Sequence, residues 1–291
     1  MDNGYISNLT YYLGHAGWLI DKISEINYGI QLYISKEDKN EIFRVYQNTK
    51  GKVTLDSSPL KDIELKEYLL LFGQKVTEGY PLMNPPLIGT DEAGKGDYFG
   101  PLCVCAVYAD EEDYKRLIKL GVKDSKLLND KKIIELAGKI KSSNIIYSVV
   151  KIGNAKFNEM YTKNGNINAI MGWAHACSIK NILDKKSCLN ILTDKYGSEH
   201  WLVQNLGQQH LNVVQVPKAE QNAAVAAASI LARDAFVNSI QKLQKKYSSS
   251  FPLGASSLVD EAGKIFVQKY SIESLKDVAK ISFKNTSRIL A

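Results

Sequence analysis

The sequence has few cysteines and no long uninterrupted apolar run, and both shortages exclude classes of protein. Only 4 of its 291 residues are cysteine, and they form neither a C-x-x-C pair nor a cluster with histidine. A zinc site is therefore disfavoured, and we expect reduced, buried thiols. No apolar run approaches the ~18 residues of a membrane span. The N-terminus also lacks the basic-then-apolar order of a signal peptide, so we expect a cytoplasmic protein without a membrane segment.

Proline and glycine are concentrated in residues 73–86, a stretch with no usable periodicity that we interpret as a linker. It separates a small domain, residues 1–72, from a larger one, residues 87–291. The net charge of +6 is uneven, because residues 1–86 hold 9 Lys and Arg against 11 Asp and Glu, whereas residues 87–291 hold 28 against 20. A basic surface attracts polyanions, although a charge run is often only a solvated face.

The small domain shows a strand at 28–35, a hairpin over 42–55 that turns at 48–51, and a helix from about 63 to 72. It contains no cluster of possible ligands. We therefore expect this α+β domain to grip a substrate or to stiffen the protein rather than to react.

The larger domain alternates strands and helices, which predicts an α/β sheet. Its longest helical stretch, residues 223–247, opens with small side chains that allow close approach to the sheet. The basic tail of this stretch, residues 241–246, suits the negative end of a helix dipole as well as it suits a phosphate strand, and we favour the dipole interpretation. The strands are predicted at 102–108, 145–152, 188–193 and 211–216.

Adjacent carboxylates, Asp91 and Glu92, lie where a strand meets a glycine turn in the segment GTDEAGKGD that begins at Gly89. Two hard oxygen ligands beside glycines suit Mg²⁺ or Mn²⁺ and a phosphodiester, since glycine lets a substrate approach the backbone. The alternative is an acidic turn in contact with solvent only.

The same segment has the spacing of a phosphate-binding P-loop through Gly89, Gly94 and Lys95. Gly96 follows the lysine, so no Ser or Thr hydroxyl is available for Mg²⁺. The two acids inside the loop would also repel nucleotide phosphates. A metal-bridged site is the better interpretation.

Two further acids complete a candidate set. Asp194 ends an apolar run, and the carboxyl ends of strands collect ligands in open α/β sheets. Glu220 lies between a strand and the alanine-rich helix, where it could instead complement the helix dipole. Asp234 competes with Glu220, but about 20 Å of helix separates them at ~1.5 Å per residue, so both cannot serve one site. We expect Asp234 to be exposed or locally paired, and Asp97 and Asp124 stay open.

Five blocks of the sequence, in order, resemble bacterial ribonuclease HIII, a type 2 ribonuclease H. The resemblance runs from the linker nearly to the C-terminus. The blocks are GTDEAGKGDYFGP at 89–101, GVKDSKLL at 121–128, NINAIMGWAHA at 166–176, the segment 218–230 that joins KAE to VAAASI, and a tail with FPLGAS at 251–256 and FKNT at 283–286.

The resemblance implies a ribonuclease H-like mixed sheet flanked by helices, preceded by a small domain like the TATA-binding protein. The family's acidic set, Asp, Glu, Asp and Glu, falls on Asp91, Glu92, Asp194 and Glu220, which would be both catalytic residues and metal ligands. The final Glu, where ribonuclease HII has Asp, favours the HIII branch, as does Gly-Lys-Gly in place of Gly-Arg-Gly. Ser282 stands where the family pattern has histidine.

The resemblance also implies an endonuclease that cleaves the RNA strand of RNA/DNA hybrids to 5′-phosphate and 3′-hydroxyl ends with two ions of Mg²⁺ or Mn²⁺. We expect Gly94, Lys95 and Gly96 to face the RNA sugar, since close backbone approach can test a 2′-hydroxyl. Ser125 and Lys126 are candidates for a phosphate contact, or else a helix cap and a solvated lysine. We expect the protein to be a monomer and its partner to be the RNA/DNA hybrid.

Two other functions fit parts of the pattern. A non-catalytic hybrid-binding protein is disfavoured because an unmetallated cluster of carboxylates repels itself. A transposase- or integrase-like enzyme acting on DNA is disfavoured by the glycine loop and by the family blocks. His175, beside Trp173 on a helical run, is expected to be a core histidine outside the chemistry.

Overall fold

The chain divides into two compact units, Met1–Asn84 and Pro85–Ala291. The computed structural model describes residues 6, 9–10, 12–14, 16–48, 53–69, 83, 85–122, 128–207 and 210–291. Most of the predicted linker, and the turn at 49–51, lie outside the described residues.

The N-terminal unit contains a four-stranded antiparallel sheet in which each strand pairs with the next along the chain. Alternate side chains of its central strands, among them Leu32 and Phe43, are buried, and residues 63–69 form a helix. The strand and hairpin predictions are confirmed, but the first strand was missed because polar side chains interrupt its alternation. The strands are β1 (Leu19–Ile26), β2 (Gly29–Lys36), β3 (Lys39–Gln47) and β4 (Val53–Asp56).

The C-terminal unit is built on a mixed five-stranded sheet, which confirms the predicted fold class. Its strands are β5 (Leu87–Ala93), β6 (Leu102–Ala109), β7 (Tyr147–Ile152), β8 (Asn190–Asp194) and β9 (Asn212–Val216). Their order in the sheet is β7-β6-β5-β8-β9. The pairs β5–β6 and β6–β7 are antiparallel, whereas β5–β8 and β8–β9 are parallel. The carboxyl ends of β5, β7, β8 and β9 therefore meet at one edge of the sheet, called the active edge below.

Helices pack on both faces of this sheet. The alanine-rich helix, Ala223–Tyr247, has the predicted bounds and lies against β5 and β6. A Cβ added to Gly89 would come within 2.4 Å of the Val225 nitrogen, so this approach requires glycine. The other helices are Glu111–Lys119, Asp130–Lys141, Asn154–Asn164, Ile167–Leu183, His200–Leu206, Ser257–Tyr270, Leu275–Val278 and Lys284–Leu290, with a 3₁₀ turn at Ala219–Gln221.

The alanine-rich helix is also the one helix, among the described residues, whose length and composition would suffice to cross a membrane. Arg233 and Asp234 interrupt its apolar residues, so the sequence shows no continuous run. Of its most apolar 18-residue window, 78% is buried in the unit. The four cysteines are free thiols, and Cys177 alone is partly exposed.

Candidate active site

Two of the predicted acids lie side by side at the active edge. Strands β5 and β8 are parallel and pair Thr90 with Thr193, so the residues that follow, Asp91 and Asp194, are neighbours across the strands. Asp91 is buried, with 6% of its surface exposed. Its carboxylate accepts a hydrogen bond from the Glu92 N–H at 2.8 Å and is also hydrogen-bonded to Ser229 of the alanine-rich helix.

Glu92 points to the opposite face of the sheet, because successive side chains of a strand alternate. Its Oε2 lies 3.5 Å from His175 Nε2, and its Oε1 lies 3.9 Å from the Lys95 ammonium. Glu92 Oε2 is buried and forms no hydrogen bond with any described residue, and the same is true of His175 Nε2. Glu92 therefore lies at the edge of the site, next to the buried imidazole of His175.

His175 is a core histidine, as expected, but it touches the candidate site. Its ring is fully buried and stacks on Tyr196, with 4.5 Å between ring centroids. The Nδ1 atom is 2.9 Å from the Thr90 hydroxyl, on the strand that carries Asp91. The sequence could not reveal these contacts, since the helix of His175 and strand β5 are more than 70 residues apart.

Glu220 lies on the 3₁₀ turn Ala219–Gln221, between β9 and the alanine-rich helix, and is 7% exposed. The turn is fastened to Asp194, whose Oδ1 accepts a hydrogen bond from the Ala219 N–H at 3.1 Å. The backbone beside Glu220 is thus held at the active edge. We call Asp91, Glu92, Asp194 and Glu220 the acid cluster.

The electrostatics of the acid cluster fit a divalent cation. Burial raises the pKa of Asp91 well above its ordinary value, and the nearby charges of Glu92 and Asp194 raise it further. Hydrogen bonds from Ser229 and from the Glu92 N–H oppose this shift only in part. Among the described residues, no three His, Cys, Asp or Glu side chains are already gathered closely enough to form a metal site. A bound cation would reduce the repulsion among these carboxylates and would give the buried Glu92 Oε2 a partner.

Residues 94–100 join β5 to β6 at the active edge and form what we call the glycine loop. Gly94 has φ +88°, and an added Cβ would lie 2.3 Å from the Pro101 carbonyl oxygen, so packing and backbone conformation require this glycine. Open space lies above Gly96. The Lys95 ammonium donates to the Tyr196 carbonyl at 2.7 Å and so points across the acid cluster.

Comparison with known proteins identifies the family of this chain. A family model described as Ribonuclease HII matches residues 88–286. Ribonuclease HIII of Protochlamydia amoebophila is 41% identical over 207 residues, which are 70% of this chain and 68% of that protein. The chain belongs to the ribonuclease HIII family. It is accordingly an endonuclease of the ribonuclease H type.

Solved structures of the family share the fold over the whole chain. Bst-RNase HIII in complex with Mn²⁺ has a TM-score of 0.65 and 25% identity, over 99% of this chain and 96% of that one. Aquifex aeolicus RNase H3 has a TM-score of 0.59 and 25% identity, over 98% of both chains. Both units of this ribonuclease HIII chain fall within these matches.

A fully buried lysine supports the glycine loop of this ribonuclease HIII. The Lys280 ammonium donates to the carbonyl oxygens of Asp97 and Gly100, both at 2.7 Å. Gly100 also accepts from the Asn154 side chain at 2.8 Å. No local pattern indicated this role, because a lysine between apolar residues is usually exposed.

Some predicted residues play other parts or lie outside the described residues. Asp234 is buried, accepts a hydrogen bond from the Asn238 side chain one helical turn away at 2.9 Å, and pairs with the Lys141 ammonium at 2.6 Å. Of the two predicted alternatives, local pairing is confirmed rather than exposure. Asp97 accepts a hydrogen bond from the Gly254 N–H at 2.7 Å and so fastens the glycine loop. Ser282 is exposed. Ser125, Lys126 and Asp124 lie outside the described residues.

Proposed function

We propose that this chain cleaves the RNA strand of RNA/DNA hybrids internally, as a monomer, and leaves 5′-phosphate and 3′-hydroxyl ends. The observation that carries the proposal is that Asp91 and Asp194 directly follow Thr90 and Thr193, the last pair of residues between the parallel strands β5 and β8. The neighbouring Glu92 and the turn of Glu220, which is bonded to Asp194, supply two more carboxylates at the same edge.

The acid cluster is the proposed holder of two divalent ions, Mg²⁺ or Mn²⁺. Carboxylate oxygens are the ligands that these hard cations prefer. The similar Bst-RNase HIII is known in complex with Mn²⁺. When bound, two such ions activate the attacking water and stabilise the leaving 3′-oxygen. Asp91, at the centre of the sheet and next to Asp194, is our candidate for the ligand that both ions share.

The glycine loop is the proposed site of RNA recognition. The open space above Gly96 lets a ribose come close to the main chain, where N–H and C=O groups can test a 2′-hydroxyl. Gly94 serves this role indirectly, because its packing on Pro101 and Phe236 fixes the shape of the loop. Lys95 holds the loop to Tyr196 and balances the charge of Glu92.

The N-terminal unit is the proposed grip on the substrate. The face of its sheet opposite the buried core carries polar, basic and aromatic side chains. Arg44 donates to Gln31 at 2.9 Å, Gln31 donates to the Tyr33 hydroxyl at 2.7 Å, and the Lys22 ammonium lies 5.6 Å from the Tyr33 ring. Aromatic rings among cationic groups are typical of surfaces that bind nucleic acids.

The test is an Asp194→Asn variant, which keeps the shape of the side chain and removes its charge. Labelled RNA/DNA hybrid, double-stranded RNA and double-stranded DNA are incubated with the enzyme, with and without Mg²⁺ or Mn²⁺. We expect metal-dependent cleavage of the hybrid alone, and a loss of at least about 100-fold in kcat for the variant, with unchanged folding and hybrid affinity.

The matched control is Asp184→Asn, an exposed acid that follows the helix Ile167–Leu183, away from the active edge. It should cleave like the unaltered protein. Near-full metal-dependent activity of Asp194→Asn would remove Asp194 from the site. Hybrid binding without cleavage under any metal would favour the non-catalytic binding protein.

A further inference from the structure

A basic cavity lies beyond the glycine loop on the C-terminal unit. Its volume is about 230 Å³, and three lysines from two different elements line it. Lys151 lies near the end of β7, and Lys242 and Lys246 lie one helical turn apart near the end of the alanine-rich helix. We call these three residues the lysine pocket.

The charge of the lysine pocket is poorly balanced. All three lysines are exposed, and within the described part of the chain none of them has an ion pair within 4 Å. Asp277 is the one acidic residue of the lining. Gly153, also in the lining, precedes the helix Asn154–Asn164 without a side-chain cap, so free N–H groups of that helix add to the positive potential.

The dipole interpretation of the basic tail does not account for this arrangement. Lys245 and Lys246 in the last turn do complement the end of the alanine-rich helix. Lys151, however, comes from a strand, and the fold brings it to the same cavity as Lys242. A solvated helix face needs no cationic partner from a neighbouring sheet.

The lysine pocket shares the active edge with the acid cluster. Across the sheet, Ala93 pairs with Cys103, and Cys103 pairs with Lys151, so Lys151 is two strands from the end of β5. Along the alanine-rich helix, Lys242 lies thirteen residues beyond Ser229, the residue bonded to Asp91. At ~1.5 Å per residue this is roughly 20 Å.

Two strand spacings of about 4.8 Å place Lys151 roughly 10 Å from the end of β5, and the helix places Lys242 roughly 20 Å from Ser229. At ~3.4 Å for each base step, these distances correspond to about three to six steps of a duplex. A duplex with one phosphodiester at the acid cluster and its backbone over the glycine loop can therefore reach the cavity. A lysine ammonium is a compact charge on a flexible stem, which suits a phosphate group that needs no base-specific orientation.

We propose that the lysine pocket binds a backbone phosphate of the nucleic-acid duplex, about three to six base steps from the bond that is cut. This inference rests on the proposed function for its substrate. It adds a second anchoring point on the catalytic unit, one that carries no sequence specificity and contributes a salt-dependent part of the affinity.

The test compares two triple variants with the same change in charge. The first is Lys151→Gln, Lys242→Gln and Lys246→Gln. The control is Lys115→Gln, Lys119→Gln and Lys185→Gln, three exposed lysines near the opposite edge of the sheet. Affinity for an 18-base-pair RNA/DNA hybrid is measured with EDTA present, so that nothing is cut, from about 50 to about 200 mM salt.

We expect the pocket variant to bind at least about 10-fold more weakly at the low-salt end. Its slope of log affinity against log salt should be shallower by about 1 to 3, since each phosphate contact contributes about 0.9. The control should keep the slope of the unaltered protein.

If the two triple variants had equal slopes of log affinity against log salt, the proposal that the lysine pocket binds a phosphate would be refuted. Cleavage is scored separately with Mg²⁺ or Mn²⁺. Absence of hybrid cleavage by the unaltered protein would contradict the proposed function, whereas the slopes would still decide whether the pocket contacts a phosphate backbone.

Discussion

Replacing Lys280 with methionine tests whether a buried cation holds the glycine loop in place. Methionine has a similar length and no charge. The change removes the two ammonium hydrogen bonds to Asp97 and Gly100 and leaves Gly100 with its bond from Asn154. It also removes the cost of keeping a charge out of water.

The magnitude follows from these two opposing effects. Hydrogen bonds to a charged group contribute about 1.5–3 kcal/mol each, or about 3–6 kcal/mol for the pair. Burial lowers the pKa of Lys280 from 10.5 to about 8, although the charge of Asp97 partly offsets it. That difference corresponds to about 3 kcal/mol of destabilisation at neutral pH. We therefore expect Lys280→Met to lower the free energy of unfolding by about 1–2 kcal/mol at pH 7.

The effect should grow with pH. Between about pH 8 and pH 10.5, Lys280 is protonated in the unfolded chain and has lost its proton in the folded protein. The unfolded state therefore binds more protons, and the free energy of unfolding of the unaltered protein increases as pH rises. The methionine variant lacks this gain. By pH 9.5 its deficit should be larger by about 2 kcal/mol, while groups common to both proteins cancel in the difference.

The assay is urea unfolding at pH 7 and pH 9.5, followed by tryptophan fluorescence. Trp18→Phe is made in every protein, because the other two tryptophans, Trp173 and Trp201, lie in the C-terminal unit and then report on it alone. Lys276→Met, an exposed lysine nearby, is the control and should show no growth of its effect with pH. A deficit for Lys280→Met that is equal at both pH values would refute the reasoning.

Two other predictions concern packing and substrate binding. Gly89→Ala should lower the free energy of unfolding by about 2–3 kcal/mol, since its Cβ would lie 2.4 Å from the backbone nitrogen of Val225. Gly138→Ala, the control in an exposed helical position, should raise the free energy of unfolding by about 1 kcal/mol, and urea unfolding midpoints measure both changes. In steady-state cleavage, the double variant Tyr33→Ala and Arg44→Ala should raise the KM for the hybrid by about 10-fold and change kcat by no more than about two-fold. An unchanged KM would show that the N-terminal sheet does not bind the substrate.

Local patterns predicted most of the C-terminal unit. The strand predictions overlap β6, β7, β8 and β9, and the alanine-rich helix has the predicted bounds. These elements are easy to recognise because one strong local signal, an apolar run or a stretch of small residues, decides each of them. Strand β1 was missed because its exposed side chains hide the alternation, and its pairing with β2 is a tertiary fact.

The contacts around the acids could not be predicted from the sequence. His175 was expected to lie in the core, yet its position against Glu92 follows from the packing of a distant helix on β5. Asp234 is buried and paired with Lys141, which approaches from another helix. Lys280 reaches the glycine loop because Ala279 forms a β-bridge with Phe99.

The sequence by itself determined the family and the mixed α/β fold class, because each depends on residue types in short ordered blocks. The four acids of the proposed site come from the same blocks, and their catalytic role stays a prediction. The tertiary structure alone decided which acids adjoin one another, which glycine is required by packing, and that lysines from a strand and a helix share one cavity. The physical reason is that these contacts join segments tens to hundreds of residues apart. Their distances depend on strand register and helix packing, to which no local pattern in the chain corresponds.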